Sequence, residues 1–427
     1  MEQFQSPEYR RARKAYIAQS VFEYLLTLIV GGAFLTKLLL YLGISDAMVG
    51  IISSFITLAF VFQIFSLLIM RLRASRKSLV LTAHALSFLL FMGAFLTPFI
   101  PVSSGVKTVL VTGSIMLAYV FLYLISSPLF RWANSHVEPD HRARYSALRE
   151  IVSLLCGIVF SALMGWLLDR FELMGKLDRG LLFIAGTILV LNLCNFLCLL
   201  LIKKDEPQEQ QDERIPMTEV MKNTLGNRQF RNVILLTILW ECAKFSSVSF
   251  VSVYYINDLG LSMLMIQFVS ILGQCLRIAI SRPFGRYSDR TTFAKGFRMG
   301  LYLLAAAFFV NIFLTPSTWF LMVVYTLLYS ASYAGLNMNS FNITYSYIDS
   351  RYFTQAMILK NCIGGIFGFG MALVSGKLLD RIQEAGNYFL GISIYGQQLL
   401  SILSFGFTVV AILFCRYVIE KQTVIKQ

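Results

Sequence analysis

Long apolar stretches dominate this chain, and twelve of them follow one another with only short polar gaps. They run over residues 15–42, 47–70, 78–100, 107–134, 145–169, 180–202, 231–256, 262–281, 297–315, 318–346, 356–379 and 393–417. A bilayer's hydrocarbon core is about 30 Å thick and a helix rises about 1.5 Å per residue, so about 20 apolar residues cross it. Most of the stretches reach that length. Lipid offers the backbone no hydrogen-bond partner, so each stretch must close its own hydrogen bonds as a helix. The expected fold is an all-α polytopic membrane protein with twelve transmembrane helices in two pseudo-symmetric six-helix bundles. Numbered in chain order, these are spans 1 to 12.

A composition of 57% hydrophobic and 14% charged residues, with mean hydropathy +0.67, excludes an ordinary soluble domain. The net charge of +14 invites a nucleic-acid reading, but its placement argues for topology instead. With a cytoplasmic N-terminus, one side of the membrane collects most of the Lys and Arg residues. The other side holds only Lys37, Lys107, Arg170, Lys176, Arg179, Lys377 and Arg381. This is the positive-inside bias, and it places both termini in the cytoplasm of a plasma (inner) membrane protein with no nucleic-acid partner. The polar N-terminus, Met1–Lys14, runs straight into the first span without the form of a cleavable signal peptide. The seven cysteines fall within or at the edges of spans, and His84, His136 and His141 show no metal-ligand spacing. No metal and no cofactor are implied.

Residues 203–230 form the longest polar segment and divide the chain into bundles at 1–202 and 231–427. The apolar spacing of Met217, Val220, Met221 and Leu225 predicts a short amphipathic helix within that linker. The two halves also resemble each other. Leu42-Gly43-Ile44-Ser45 recurs as Leu259-Gly260-Leu261-Ser262, and Gly165-Trp166-Leu167-Leu168-Asp169-Arg170 recurs as Gly376-Lys377-Leu378-Leu379-Asp380-Arg381. Basic loops follow spans 2 and 8 alike. Internal repeats of this kind mark secondary transporters, whose substrate site lies where the repeats meet.

Between spans 8 and 9 stand Gly285, Asp289 and Arg290, followed by Lys295. With Pro139–Tyr145 before span 5, these residues resemble the cytoplasmic motifs of the major facilitator superfamily, and the resemblance covers nearly the whole chain. The first-half copy keeps Arg73, Arg76 and Lys77 but has Leu68 and Leu72 where glycine and aspartate are expected. The resemblance implies a gate: the glycine allows close helix approach, and Asp289 faces the N-terminus of span 5 near Arg144 and Arg149. The Gly-Pro antiporter signature is absent from span 5, which reads Ser153 to Ser161 without proline. Glycines 364, 365, 368 and 370 suit span 11 to close packing.

Ionisable groups inside apolar spans are costly, about 2.5–3.5 kcal/mol or more each, and each needs a reason. Glu241 and Lys244 lie three residues apart on one face of span 7, about 15 and 20 Å from Arg231 by helix rise. They read either as a neutralising pair or as ligands for a charged group or a proton. Glu23, about 12 Å into span 1, is a coupling candidate, and the repeat sets its neighbour Tyr24 opposite Glu241. Arg277, near the end of span 8, either snorkels or meets an anionic solute. Span 10 is the most polar span, with Tyr325, Tyr329, Tyr333 and Asn337 at every fourth residue and Asn339 and Asn342 nearby. That face reads as a cavity wall or as interhelical hydrogen bonding. Gln63, Gln267, Gln274, Asn192, Asn195, Asn361 and Trp240 are less specific candidates.

Together these features predict a secondary active transporter, not an enzyme. It would act as a monomer in the lipid bilayer and move a small polar organic solute by alternating access. Protonation of Glu23 or Glu241 is the simplest coupling. Multidrug efflux is the alternative within transport, and a non-transporting membrane sensor that retains the fold is the alternative from another class.

Overall fold

The computed structural model describes residues 6–66, 76–138, 142–202, 217–389 and 392–422. The first-half motif positions Leu68, Leu72 and Arg73, the residues 139–141 and the linker residues 203–216 lie outside them. Among the described residues, eleven helices are long and apolar enough to cross a membrane. The remaining one, span 10 (Leu321–Tyr347), has asparagines and tyrosines that lower its hydropathy. The linker helix forms over Met217–Leu225. A two-residue antiparallel ladder pairs Tyr388 with Ser393 and Phe389 with Ile392 between spans 11 and 12.

Helix ends follow local chemistry. Ser6 caps span 1 by accepting from the Tyr9 amide at 3.4 Å, with Pro7 at the first helical position, where its missing N–H costs nothing. The Asn227 side chain accepts from the amides of Gln229 (2.9 Å) and Phe230 (3.3 Å) and so starts span 7. Span 8 runs from Met263 to Arg290, through Pro283, and is about 42 Å long by helix rise. The Gly285–Arg290 motif is therefore the last turn and a half of a helix rather than a loop. The connection to span 9 is only Thr291 and Thr292, and Thr292 caps the new helix by accepting from Lys295.

Spans 1 and 7 are broken. Span 1 stops at Ile29 and resumes at Gly32, whose φ of +52° is a left-handed conformation that only glycine adopts without strain. Span 7 stops at Phe245 and resumes at Val248. Within one residue, the two breaks correspond under the repeat that relates Leu42 to Leu259.

Contacts sort the chain into two compact units. The first comprises residues 1–45, 62–210 and 262–267, and the second comprises 46–61, 211–261 and 268–427. In the first, Ala12, Tyr16, Val80, Ile125, Trp132 and Leu199 form a buried cluster from spans 1, 3, 4 and 6. Its share of span 8 is held by Asp169, whose carboxylate accepts from the Met263 and Leu264 amides at 2.8 Å each. In the second, the first half of span 2 lies tightly against span 11. A Cβ at Gly365 would stand 2.3 Å from the Thr57 carbonyl oxygen, so only glycine permits the approach. Ala47, Phe250, Leu379 and Leu400 form a core there.

Candidate functional site

In the first unit a polar cluster of buried side chains gathers around the half-buried Glu23. The Gln19 amide, one turn earlier on span 1, donates to Glu23 Oε2 at 2.6 Å. His84 of span 3 places Nε2 3.7 Å from the same oxygen. Asn195 of span 6 lies behind the imidazole, with its amide nitrogen 3.0 Å from Nδ1. Glu23, the coupling candidate of span 1, is thus paired. Beside it, Arg149 donates to the Tyr16 hydroxyl and lies over the Tyr16 ring at 4.8 Å. Arg149 also acts on Glu23 through space. Lys77 is otherwise engaged: it donates to the Leu200 and Ile202 carbonyls at 2.7 Å each and closes the C-terminal end of span 6.

In the second unit, Glu241 and Lys244 meet as an ion pair at 3.5 Å. Glu241 is buried because span 11 presents glycines to it: a Cβ at Gly364 or Gly368 would touch its side chain at 3.3 or 3.4 Å. The Lys244 ammonium sits among aromatic faces, 4.4 Å from the centre of Phe245, 5.9 Å from Tyr333 and 6.0 Å from Trp240. Tyr325, Tyr329 and Tyr333 stack along span 10 as their four-residue spacing predicts, and Tyr329 donates to the Tyr333 hydroxyl at 3.0 Å. Arg277 is half-buried and within electrostatic reach of Tyr333.

The two asparagines of span 10 part company. Asn337 is exposed, whereas Asn339 is fully buried, donates to the Gly335 carbonyl at 2.8 Å and packs where Gly296 of span 9 leaves room. Asn339 therefore stands in an interhelical seam, away from the tyrosine ladder. The close approach expected at Gly285 also falls elsewhere. A Cβ there meets only Met338 Sδ at 3.7 Å, while Gly335 and Gly296 lie against Phe284 and Ser288. Asp289 and Arg290 are exposed, and among the described residues no hydrogen bond or ion pair reaches Asp289.

The break in span 7 is filled by a buried network that sequence spacing does not show. Gln397 of span 12 donates to Ser247 Oγ at 2.8 Å, Ser401 lies 3.3 Å from that hydroxyl, and Asn311 of span 9 donates to Ser401 at 2.7 Å. At the turn between spans 1 and 2, Asp46 accepts from Asn257 at 2.7 Å and from Gln383 at 2.8 Å. Burial, and then the Asp46 charge, pushes the nearby Asp258 carboxyl up to about 6.

Two buried polar groups escaped the sequence reading. His84 counted there only as a histidine without metal-ligand spacing. Lys360 was not singled out there, yet it lies within the helix Phe353–Glu384 and is 2% exposed. Its ammonium donates to the Ser340 hydroxyl (3.0 Å), the Thr344 hydroxyl (3.0 Å) and the Ser340 carbonyl (3.4 Å). The available signal was span 11's apolar run, which extends on both sides of Lys360.

A bundle of broken spans with polar clusters in the interior of each unit is the architecture of a membrane transporter. The chain matches the Major Facilitator Superfamily over residues 17–362 and belongs to that family. It is an integral membrane protein whose family comprises transporters, not enzymes. No curated protein sequence matches it. Among solved structures it resembles the nucleoside transporter NupG (TM-score 0.68, 15% identity, covering 98% of this chain and 100% of that one). It also resembles a D-xylose-proton symporter (0.65, 12%, 96% and 96%) and a bacterial homolog of the human lysosomal transporter Spinster (0.64, 13%, 97% and 97%). These likenesses show the fold.

Proposed function

We propose that the protein is a proton-coupled secondary transporter that carries a small polar organic solute by alternating access. It works as a monomer in the plasma membrane with both termini cytoplasmic. The observation that carries this reading is the Glu23–His84 pair on spans 1 and 3, a carboxylate and an imidazole 3.7 Å apart inside an apolar bundle. As it stands, Asn195 donates to His84 Nδ1, which suits a neutral imidazole with its proton on Nε2, towards Glu23. The Asn195 carbonyl oxygen is buried without a hydrogen bond. Turning that amide over presents the oxygen to an Nδ1–H and accommodates the imidazolium. The cluster thus accommodates His84 with or without an added proton, Glu23 standing as its counter-charge, which a coupling site requires. The solute site is the Glu241–Lys244–Tyr333 cluster beside the break in span 7, in keeping with discontinuous helices at transporter binding sites. NupG and the D-xylose symporter, which share the fold, are named for polar organic solutes. Gly285, Asp289 and Arg290, with Arg73 and Arg76, serve the cytoplasmic gate.

The test uses proteoliposomes and a solute identified by thermal-shift screening of a metabolite library. An inward proton gradient should drive accumulation in the wild type. Glu23→Gln should abolish accumulation and retain solute exchange, because a neutral amide cannot compensate the charge of the imidazolium that carries the proton. Accumulation by Glu23→Gln with wild-type pH dependence would remove Glu23 from coupling. An absence of flux for every ligand that binds would remove transport itself.

A further inference from the structure

Charge in the interior of the second unit is out of balance. Glu241 is the carboxylate on the inner face of span 7, and it pairs with Lys244 at 3.5 Å. Lys360 on span 11 is buried to 2% exposure, and its three N–H donors are taken up by neutral oxygens of Ser340 and Thr344. Those contacts satisfy its hydrogen bonds and leave its charge in place. Glu241 acts on Lys360 through space, but it is already engaged with Lys244. Arg277 of span 8 adds a third positive group near Tyr333. Among the described residues, Glu241 thus stands against Lys244 and Lys360, with Arg277 acting on the neighbouring Tyr333, in a low-dielectric interior where an uncompensated charge is expensive.

Unused donors point the same way. The Trp240 ring is 7% exposed, and its indole N–H is buried without a hydrogen bond. Its ring centre lies 6.1 Å from that of Tyr333 and 6.0 Å from the Lys244 ammonium. Lys244 keeps 21% of its side chain exposed, and among the described residues its one polar contact is the Glu241 ion pair. An indole N–H with no acceptor therefore lies beside an ammonium whose one polar contact among the described residues is Glu241, under a field set by two further cations. A neutral sugar or nucleoside would leave that field uncompensated.

We infer that this cluster on spans 7, 8, 10 and 11 binds the anionic group of its solute, so that the protein is a carrier of small organic anions. Lys244 and the Trp240 indole contact the anion, Tyr329 and Tyr333 line the pocket, and Lys360 and Arg277 supply the field. The inference rests on the transporter reading and narrows its solute class. The recognised group is a carboxylate or a phosphate ester, and both donors fit either one.

The experiment measures thermal shifts of the purified full chain against matched sets. These are glucose, glucuronate and glucose 6-phosphate; uridine and uridine 5′-monophosphate; malate and its diamide. Stabilising compounds should come from the charged members alone, and whether acids or phosphates do so identifies the group. Removing a direct charged contact costs affinity by about tenfold or more, so Lys244→Gln should lose the shift while Lys244→Arg retains it. Lys360→Met, which touches no solute, should weaken the anion by about three- to tenfold and leave any residual binding of neutral members unchanged. Shifts by neutral members equal to those of their acids would overturn the inference, as would no shift from any acid or phosphate. Counterflow of the stabilising compounds in proteoliposomes separates the two claims: binding of anions without any flux sinks transport and leaves the site.

Discussion

Asp258 should make the protein less stable as pH rises through the mildly acidic range. Its carboxyl sits at the end of span 7, half-buried and close to Asp46, and is pushed from its ordinary 3.8 to about 6. Below about pH 4 the group is protonated in both folded and unfolded chains, and no cost arises. Between 3.8 and about 6 the unfolded chain releases the proton while the folded chain keeps it, so unfolding gains ground with each step. Above about 6 both forms are ionised and the penalty is constant. The full interval corresponds to about 3 kcal/mol at about 1.36 kcal/mol per pH unit. Solvent screening at a half-buried carboxyl reduces this to about 1–2 kcal/mol. Asp258→Asn removes the titration and keeps the shape. Thermal unfolding in lipid nanodiscs should show the variant level with the wild type near pH 4, ahead of it by pH 6.5, and no further ahead at pH 7.5. Asp46→Asn, which takes away the neighbouring charge but not the burial, should shrink the difference without abolishing it. Parallel curves for wild type and Asp258→Asn, or a variant less stable at pH 7.5, would refute the argument.

Glu241→Gln leaves Lys244 without its ion-pair partner and should cost about 1–3 kcal/mol of thermal stability, with accumulation and exchange falling together; loss of accumulation alone would instead assign the coupling proton to Glu241. Gly365→Ala drives a Cβ to 2.3 Å from the Thr57 carbonyl and should cost about 1–3 kcal/mol, whereas Gly370→Ala, with open space around it, should gain up to about 1 kcal/mol from helix propensity. Equal melting temperatures for the two alanine variants would contradict the packing described. Asp289→Asn should leave the stability within about 0.5 kcal/mol of wild type, because the carboxylate is exposed and unpartnered among the described residues, and should act only on turnover. A large stability loss would place Asp289 in folding rather than gating.

Several features of this molecule were legible in the chain because one physical rule decided each of them. Hydrocarbon thickness sets the length of an apolar helix, so the spans could be counted from Ala, Leu, Ile and Phe alone. Helical periodicity placed Glu241 with Lys244 and stacked Tyr325, Tyr329 and Tyr333, since residues three or four apart share a face whatever surrounds them. Even span 10, the most polar of them, was counted by its length, and the helix Leu321–Tyr347 forms there.

Partners from other spans were a different matter. Lipid thickness constrains a helix along its axis and says nothing about its rotation. Whether Glu23 is alone or faces His84 and Asn195 depends on how spans 1, 3 and 6 turn toward each other. The same holds for Asn339, buried in a seam with Gly296 while Asn337 two residues away is exposed. Lys360 shows the limit most directly. In the chain it is one more basic residue near a helix end. Only the packing of span 11 against span 10, which brings Ser340 and Thr344 to its ammonium, turns it into a buried charge. Apolar length is written along one dimension and survives any arrangement of neighbours. Compensation of a buried polar group is a contact between helices, and tertiary packing alone decides which neighbour supplies it.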